Sequence, residues 1–257
     1  MRLGFVGTGT ITAALIEGLN ATGAEYAITV SPRNADTAAA LAARYANVRV
    51  AASNQAVLDT SDLVMLAVRP QIAEAVLPEL RFRPDHHVVS LIAAVSHAYL
   101  TRVTAPAGTV TRAVPIPSVA RRQGPTAFFP PHPTVKALFA SLGTAIELGD
   151  ETAFHAFAAG TAMMASYFQF AHTIERWMAG NGVAQAEAHA FVGQMLLGLA
   201  GHWAETPERD FAQLADEHQT LGGINEQIRT HLTDVGAFAE VAAALDAVKA
   251  RLLKARA

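Results

Sequence analysis

The stretch Leu3-Gly4-Phe5-Val6-Gly7-Thr8-Gly9-Thr10-Ile11-Thr12-Ala13-Ala14-Leu15-Ile16 decides how the chain is read. The run ending at Val6 reads as a buried strand, and from Ile11 the apolar residues recur at helical spacing. Between them Gly7 permits a tight turn and Gly9 lets backbone approach a pyrophosphate. The amides of Thr8, Thr10 and Ile11 lie where a helix start supplies donors and partial positive charge. The third small position of such a turn is taken by Thr12, where glycine or alanine is usual. An ordinary strand-to-helix turn would look the same over these residues alone. The βα context around it favours a dinucleotide site.

Working outward, short β-branched runs at 2–6, 26–30, 48–51, 63–68, 88–92 and 109–114 alternate with helical patterns at 11–20, 35–45, 55–58, 72–80 and 98–103. Strands joined by crossover helices build a parallel, doubly wound sheet of Rossmann type. Six of the twelve prolines fall from Pro115 to Pro133, and their missing N–H groups predict loop or edge strand there. A closing helix at 135–141 and strand at 144–148 lead to Gly149-Asp150, after which no strand-like run recurs. The expected division is therefore an α/β domain over 1–149 and an all-α domain over 150–257. Helices are expected at 151–178, 184–203, 207–216, 225–232 and 238–254. Gly180-Asn181-Gly182 reads as a stop, and Thr206-Pro207 as an N-cap with proline at the first helical position.

Composition narrows the function classes. Half of the 257 residues are hydrophobic and 16% are charged, enough for a packed core. The net charge is −3, and Lys136, Lys249 and Lys254 are the only lysines, so nucleic acid is not an expected partner. With no cysteine, disulfides and thiolate chemistry are excluded. The most apolar segment, 156–171, is interrupted by Gly160, Ser166 and Gln169, so no membrane span is expected. The Met1-Arg2 opening lacks a signal-peptide pattern, which makes the cytoplasm the default location. The alanine-rich helices of the second half carry more apolar surface than about a hundred residues can bury, which predicts a homodimer through them.

The end of the second strand distinguishes the dinucleotides, because an acid there binds the ribose 2′-hydroxyl of NAD and an arginine accommodates the 2′-phosphate of NADP. This chain has Ser31-Pro32-Arg33-Asn34, so NADP is expected over NAD, with Ser31, Arg33 and Asn34 as donors. Ser31 and Asn34 could equally cap the next helix. After the fourth strand, Ala67, Val68, Arg69 and Pro70 form a loop that borders the cofactor in such sheets, with Pro70 at a natural helix start.

Taken in order, Gly7-Thr8-Gly9, Ser31-Pro32-Arg33-Asn34, Ala67-Val68-Arg69-Pro70-Gln71, Ser90-Leu91-Ile92-Ala93-Ala94, Arg112-Ala113-Val114-Pro115 and Gly222-Gly223 resemble the pyrroline-5-carboxylate reductases over essentially the whole chain. The resemblance implies a Rossmann domain, an interlocking helical dimer, and reduction of a cyclic imino acid (pyrroline-5-carboxylate to proline, or a relative) by NADPH. It also implies a substrate segment at Thr220-Leu221-Gly222-Gly223-Ile224-Asn225. Gly222 and Gly223, before a helix, would present backbone N–H groups to a carboxylate. Asn225 would donate to the ring nitrogen or carboxylate where the family has threonine, and Thr220 is a nearby hydroxyl. Alone, this Gly-Gly reads as a plain turn.

The departures fall in the substrate half. Ile116 stands where the family has a polar Asn, and the stretch from Thr161 to Tyr167 keeps mainly the tyrosine. No histidine pair has the i, i+4 spacing of a helical metal site, so no metal is expected. His218 is a candidate proton donor, and Tyr167 reads as packing. The β-hydroxyacid dehydrogenases share this plan but need a lysine in the first long helix, which 151–178 lacks. Deazaflavin-dependent NADP reductases share the N-terminal signals without such a helical tail. A non-catalytic NADPH sensor is the remaining reading, separated from an enzyme by whether bound NADPH is oxidised by any cyclic imine.

Overall fold

Alternation along the strands explains why this sequence makes a sheet covered on two faces. In a computed structural model, which describes residues 1–254, Leu3 and Phe5 of β1 (Arg2–Val6) enter one apolar core while Val6 enters a second. Leu63 and Met65 of β4 (Leu63–Leu66) and Val89 of β5 (His87–Ser90) join the first core, and Val64, Leu66 and Val88 the second. This is period-two geometry with both faces buried, as a parallel sheet requires. The first core is closed by α1 (Thr10–Asn20), α2 (Ala35–Arg44) and α6 (Pro133–Ala140) through Leu15, Leu41 and Phe139. The second is closed by α3 (Asn54–Asp59), α4 (Pro70–Val76) and α5 (His97–Val103) through Leu58, Ala73 and Leu100.

With β2 (Ala27–Val30), β3 (Val48–Val50), β6 (Thr109–Pro115), β7 (Gly124–Phe129) and β8 (Gly143–Glu147), the strand order is β3-β2-β1-β4-β5-β6-β7-β8. All neighbours are parallel except β6 and β7, which are antiparallel. The proline-rich segment thus contains an interior strand, not the loop or edge strand expected from its prolines. Its ladder to β6 begins at Thr126, so Pro125 lies just outside that pairing and its missing N–H costs no bond there.

The chain forms two compact units, one of residues 1–161 with those from Val248 onward, the other of residues 162–247. The first helix after the sheet, α7 (Glu151–Gly160), stays with the sheet unit. Its Glu151 carboxylate lies 2.5 Å from Arg112 Nη1 of β6 and accepts from the His97 N–H at 2.7 Å. Arg112 is 2% exposed and also lies over the Phe154 ring. Burial alone would raise the Glu151 pKa, but the His97 N–H and Arg112 hold it below the usual range. The expected single helix over 151–178 is two, because it breaks after Gly160 and α8 (Met163–Gly180) begins beyond Thr161-Ala162.

The second unit holds α8, α9 (Gln185–Glu205), α10 (Phe211–Glu217), α11 (Ile224–Asp234) and the first part of α12 (Ala237–Leu253). Between α8 and α9 the chain stops as expected at Gly182, whose φ is 91°. The Thr206-Pro207 start is not used. Instead Asp210 and Gln213 form a reciprocal capping box that satisfies two orphan donors of α10, while Thr206 bonds back to the His202 carbonyl. Among the described residues no helix is long and apolar enough to cross a membrane.

One half-buried histidine contributes to the pH dependence of folding. His87, at the start of β5, has its ring 4.0 Å from that of His132, and burial, with a smaller contribution from His132, lowers its pKa to about 4. An unfolded chain takes up this proton near pH 6.5. His87 therefore contributes no penalty above that pH, and the fold loses stability as pH falls from about 6.5 towards 4. Thermal melts between pH 7.5 and 4.5 should show the midpoint falling faster below pH 6.5 in the parent than in His87→Gln; parallel curves would contradict this.

Candidate active site

Three strand ends meet at the carboxyl edge of the sheet unit. Val6 O accepts from the Ala67 N–H at 2.8 Å and Phe5 O from the Ser31 N–H at 3.0 Å, so the ends of β1, β2 and β4 are held in register. Gly7 turns between them at φ 108°, and a Cβ there would lie 2.5 Å from the Ala67 carbonyl oxygen. Only glycine fits, by conformation and by space. The Gly7 N–H donates to Ser31 Oγ at 2.9 Å, and the buried Thr8 hydroxyl donates to the Ser31 carbonyl at 2.7 Å. Thr12, in place of the usual small residue, donates its hydroxyl to the Gly7 carbonyl at 2.7 Å and is fully buried.

Gly9 behaves differently. It is the N-cap of α1, no side chain caps that helix, and nothing lies within 4 Å of where its Cβ would be. The first-turn amides of Thr10 and Ile11 therefore face open space at a positive helix end, which fits the pyrophosphate of a dinucleotide. Ser31 is committed to holding the turn, so of the three polar residues after β2 it is Arg33 and Asn34 that are exposed and make no side-chain bond among the described residues. Asn34 is the N-cap of α2 by position, but its side chain does not cap. Arg69, the N-cap of α4, is likewise exposed without a cap bond, and Pro70 occupies the first turn as expected. The set fits a phosphorylated dinucleotide: backbone amides for the pyrophosphate, and a guanidinium and an amide where a 2′-phosphate would lie.

Within the second unit, the loop before α11 is arranged differently from expectation. Gly222 is left-handed at φ 72°, and its N–H donates to the Glu226 carboxylate at 2.5 Å. The Gly223 N–H donates to the Thr220 carbonyl at 2.8 Å, so neither glycine leaves its N–H open in the way the sequence suggests. A Cβ at Gly223 would lie 2.5 Å from Thr220 Oγ1, so the loop requires glycine there. Asn225 donates its amide nitrogen to the His218 carbonyl at 2.8 Å. That bond fixes the amide's orientation and leaves its oxygen and its second N–H to a ligand. His218 Nδ1 faces the Leu214 carbonyl at 2.7 Å and so carries the proton, leaving Nε2 as an acceptor. Glu226 was missed from the sequence, although a glutamate at the third helical position is a capping signal.

The first 2–94 residues match a family model described as NADP oxidoreductase, coenzyme F420-dependent. A pyrroline-5-carboxylate reductase of Pseudomonas aeruginosa is 30% identical over 65% of this chain and 64% of that protein, so the match spans a little under two thirds of it. The Escherichia coli pyrroline-5-carboxylate reductase is 28% identical over 95% of this chain and 94% of that protein. The chain is thus similar to pyrroline-5-carboxylate reductases in sequence. A solved Plasmodium falciparum pyrroline carboxylate reductase with NADP bound has the same fold, with a TM-score of 0.84 at 18% identity over 98% of this chain and 97% of that one. The N-terminal α/β sheet followed by an all-helical region is the fold of these solved reductases.

The two motif glycines separate structure from binding. Gly7→Ala should lower the thermal midpoint by several degrees, because its Cβ meets backbone. Gly9→Val should leave the midpoint within about 2 °C yet weaken NADPH binding at least tenfold by fluorescence titration. Retained affinity in Gly9→Val would remove this turn from the cofactor site.

Proposed function

We propose that the protein reduces the C=N bond of a cyclic imine with NADPH. The observation that carries this reading is the uncapped α1 start beside free Arg33 and Asn34, together with the sequence similarity to pyrroline-5-carboxylate reductases. When bound, NADPH supplies a hydride from its nicotinamide. The chain holds it by the amides of Gly9, Thr10 and Ile11, with Ser31 and Thr8 fixing the turn and Arg33 and Asn34 meeting the 2′-phosphate. NADP is therefore preferred to NAD. Ala67, Val68, Arg69 and Pro70 border the same edge, and Gly7 permits the close approach of β1 to that loop.

The curated relatives this chain is similar to bear the name of pyrroline-5-carboxylate reductase, and the cyclic imine class is taken from them. The substrate loop we assign is Thr220, Gly222, Gly223 and Asn225. Asn225 orients the imine nitrogen through its acceptor oxygen and cannot serve as the acid, so the substrate arrives already protonated. Neighbouring domain boundaries are proposed at the start of α8, with the helical unit carrying the substrate loop.

A homodimer through the helical unit is part of the reading. Phe168, Trp177, Phe191 and Phe211 are each more than half exposed, and Leu221 is 97% exposed. Apolar surface of this extent marks a protein interface. Light scattering should give at least twice the chain mass, and a monomer at micromolar concentration would contradict it.

Imine-dependent oxidation of NADPH by the purified protein tests the activity. We expect Arg33→Ala to raise the KM for NADPH about tenfold or more and to leave the KM for NADH within about twofold. NADPH bound but oxidised by no cyclic imine would contradict the enzyme reading and favour a sensor; equal effects on both cofactors would remove Arg33 from the 2′-phosphate.

A further inference from the structure

The segment that carries Arg33 is held by a short chain of hydrogen bonds whose directions are fixed. The Gly7 N–H donates to Ser31 Oγ at 2.9 Å, and the Thr8 hydroxyl donates to the Ser31 carbonyl at 2.7 Å. The two hydroxyl oxygens lie 3.2 Å apart. Because the Thr8 proton is already given to the carbonyl, Ser31 Oγ is the donor in that contact and Thr8 Oγ1 the acceptor. Thr8 and Ser31 are 3% and 1% exposed, so solvent does not compete for these bonds.

The carbonyl that Thr8 holds belongs to the peptide joining Ser31 to Pro32. Proline has no N–H, so this oxygen is the only polar group of that peptide, and the Thr8 hydroxyl orients its plane. The next backbone angle is set by the proline ring, with φ at about −65°. Among the described residues neither Pro32 nor Arg33 makes a further hydrogen bond, and the next anchor is the Asn34 carbonyl, which accepts from the Ala38 N–H at 2.9 Å. The direction in which the exposed Arg33 leaves the sheet therefore follows from one fixed plane and one fixed angle, both upstream of it.

We propose that Thr8 is a positioning residue for the choice between NADP and NAD: through its enclosed hydroxyl and the Ser31–Pro32 peptide it aims Arg33 at the 2′-phosphate. The proposal rests on the cofactor reading above, in which Arg33 meets that phosphate. A role confined to holding the turn would weaken both dinucleotides alike, because they share every group except the 2′-phosphate. A positioning role weakens NADP alone.

Dissociation constants of NADP and NAD, measured by calorimetry on the full chain, test this without depending on turnover. The set is the parent, Thr8→Val, Thr8→Ser, Pro32→Gly, Arg33→Ala and the double variant Thr8→Val with Arg33→Ala. Valine keeps the shape of threonine and removes the hydroxyl, so Thr8→Val should lower the preference for NADP over NAD about fivefold or more. Thr8→Ser, which restores the hydroxyl, should hold the preference within about twofold of the parent. Pro32→Gly releases the same link outside the buried turn and should lower the preference likewise, which decides the matter if Thr8→Val does not fold. With Arg33 removed, the effect of Thr8→Val on the preference should shrink to within about twofold.

Thr8→Val weakening both dinucleotides alike overturns the proposal, as does Pro32→Gly doing so where Thr8→Val does not fold. An undiminished effect of Thr8→Val in the double variant also overturns it. Arg33→Ala without effect on the preference overturns the cofactor reading and the proposal with it. An effective Arg33→Ala beside an ineffective Thr8→Val overturns the proposal alone.

Discussion

The structure depends on the close approach of Gly7 to the Ala67-Val68 backbone at the end of β4. A side chain at position 7 would lie 2.5 Å from the Ala67 oxygen, so this contact exists only because the residue is glycine. Ser31 then accepts the Gly7 N–H, and Thr8 donates to the Ser31 carbonyl, so β1, β2 and β4 end at one place. Buried donors at such a turn would each cost about 1–3 kcal/mol if left unpaired, which is why the hydroxyls of Thr8, Ser31 and Thr12 recur there. The consequence is a rigid turn that leaves the next residue, Gly9, facing open space.

A second constraint settles where the sheet unit ends. Arg112 is a charged residue on an interior strand, 2% exposed, and needs a partner to offset the cost of burying its charge. Glu151 supplies it from the first turn of α7, and the His155 ring lies 3.2 Å from the same Arg112 nitrogen. Because that nitrogen is a donor, His155 accepts through Nε2, and burial together with Arg112 pushes its pKa down. The pair ties α7 to β6 and keeps the helix with the sheet although no strand follows it.

Much of this was legible in sequence because strands and crossover helices write distinct periods. The turn at Gly7 and the proline that starts α4 were readable from short spacing. Strand β7 was not, since its prolines mask a ladder that avoids Pro125 by a single residue. The partners of Arg112 were hidden by separation along the chain. At the loop before α11 the glycine pair was visible, but the partners of its N–H groups were not. Whether Gly222 donates to a ligand or to Glu226 depends on a side chain four positions on, and the orientation of the Asn225 amide depends on the His218 carbonyl. The sequence showed the polar groups; their mutual bonding decides what they offer.

The turn after β1 leaves the first-turn amides of α1 uncapped beside Arg33 and Asn34, which is the site we propose for the cofactor. The most direct test is a crystal structure of the protein with NADP bound. The account predicts the pyrophosphate within hydrogen-bond distance of the amides at Gly9 to Ile11, and the 2′-phosphate on Arg33 and Asn34. A pyrophosphate placed away from that helix start, or a 2′-phosphate that touches neither side chain, would contradict it.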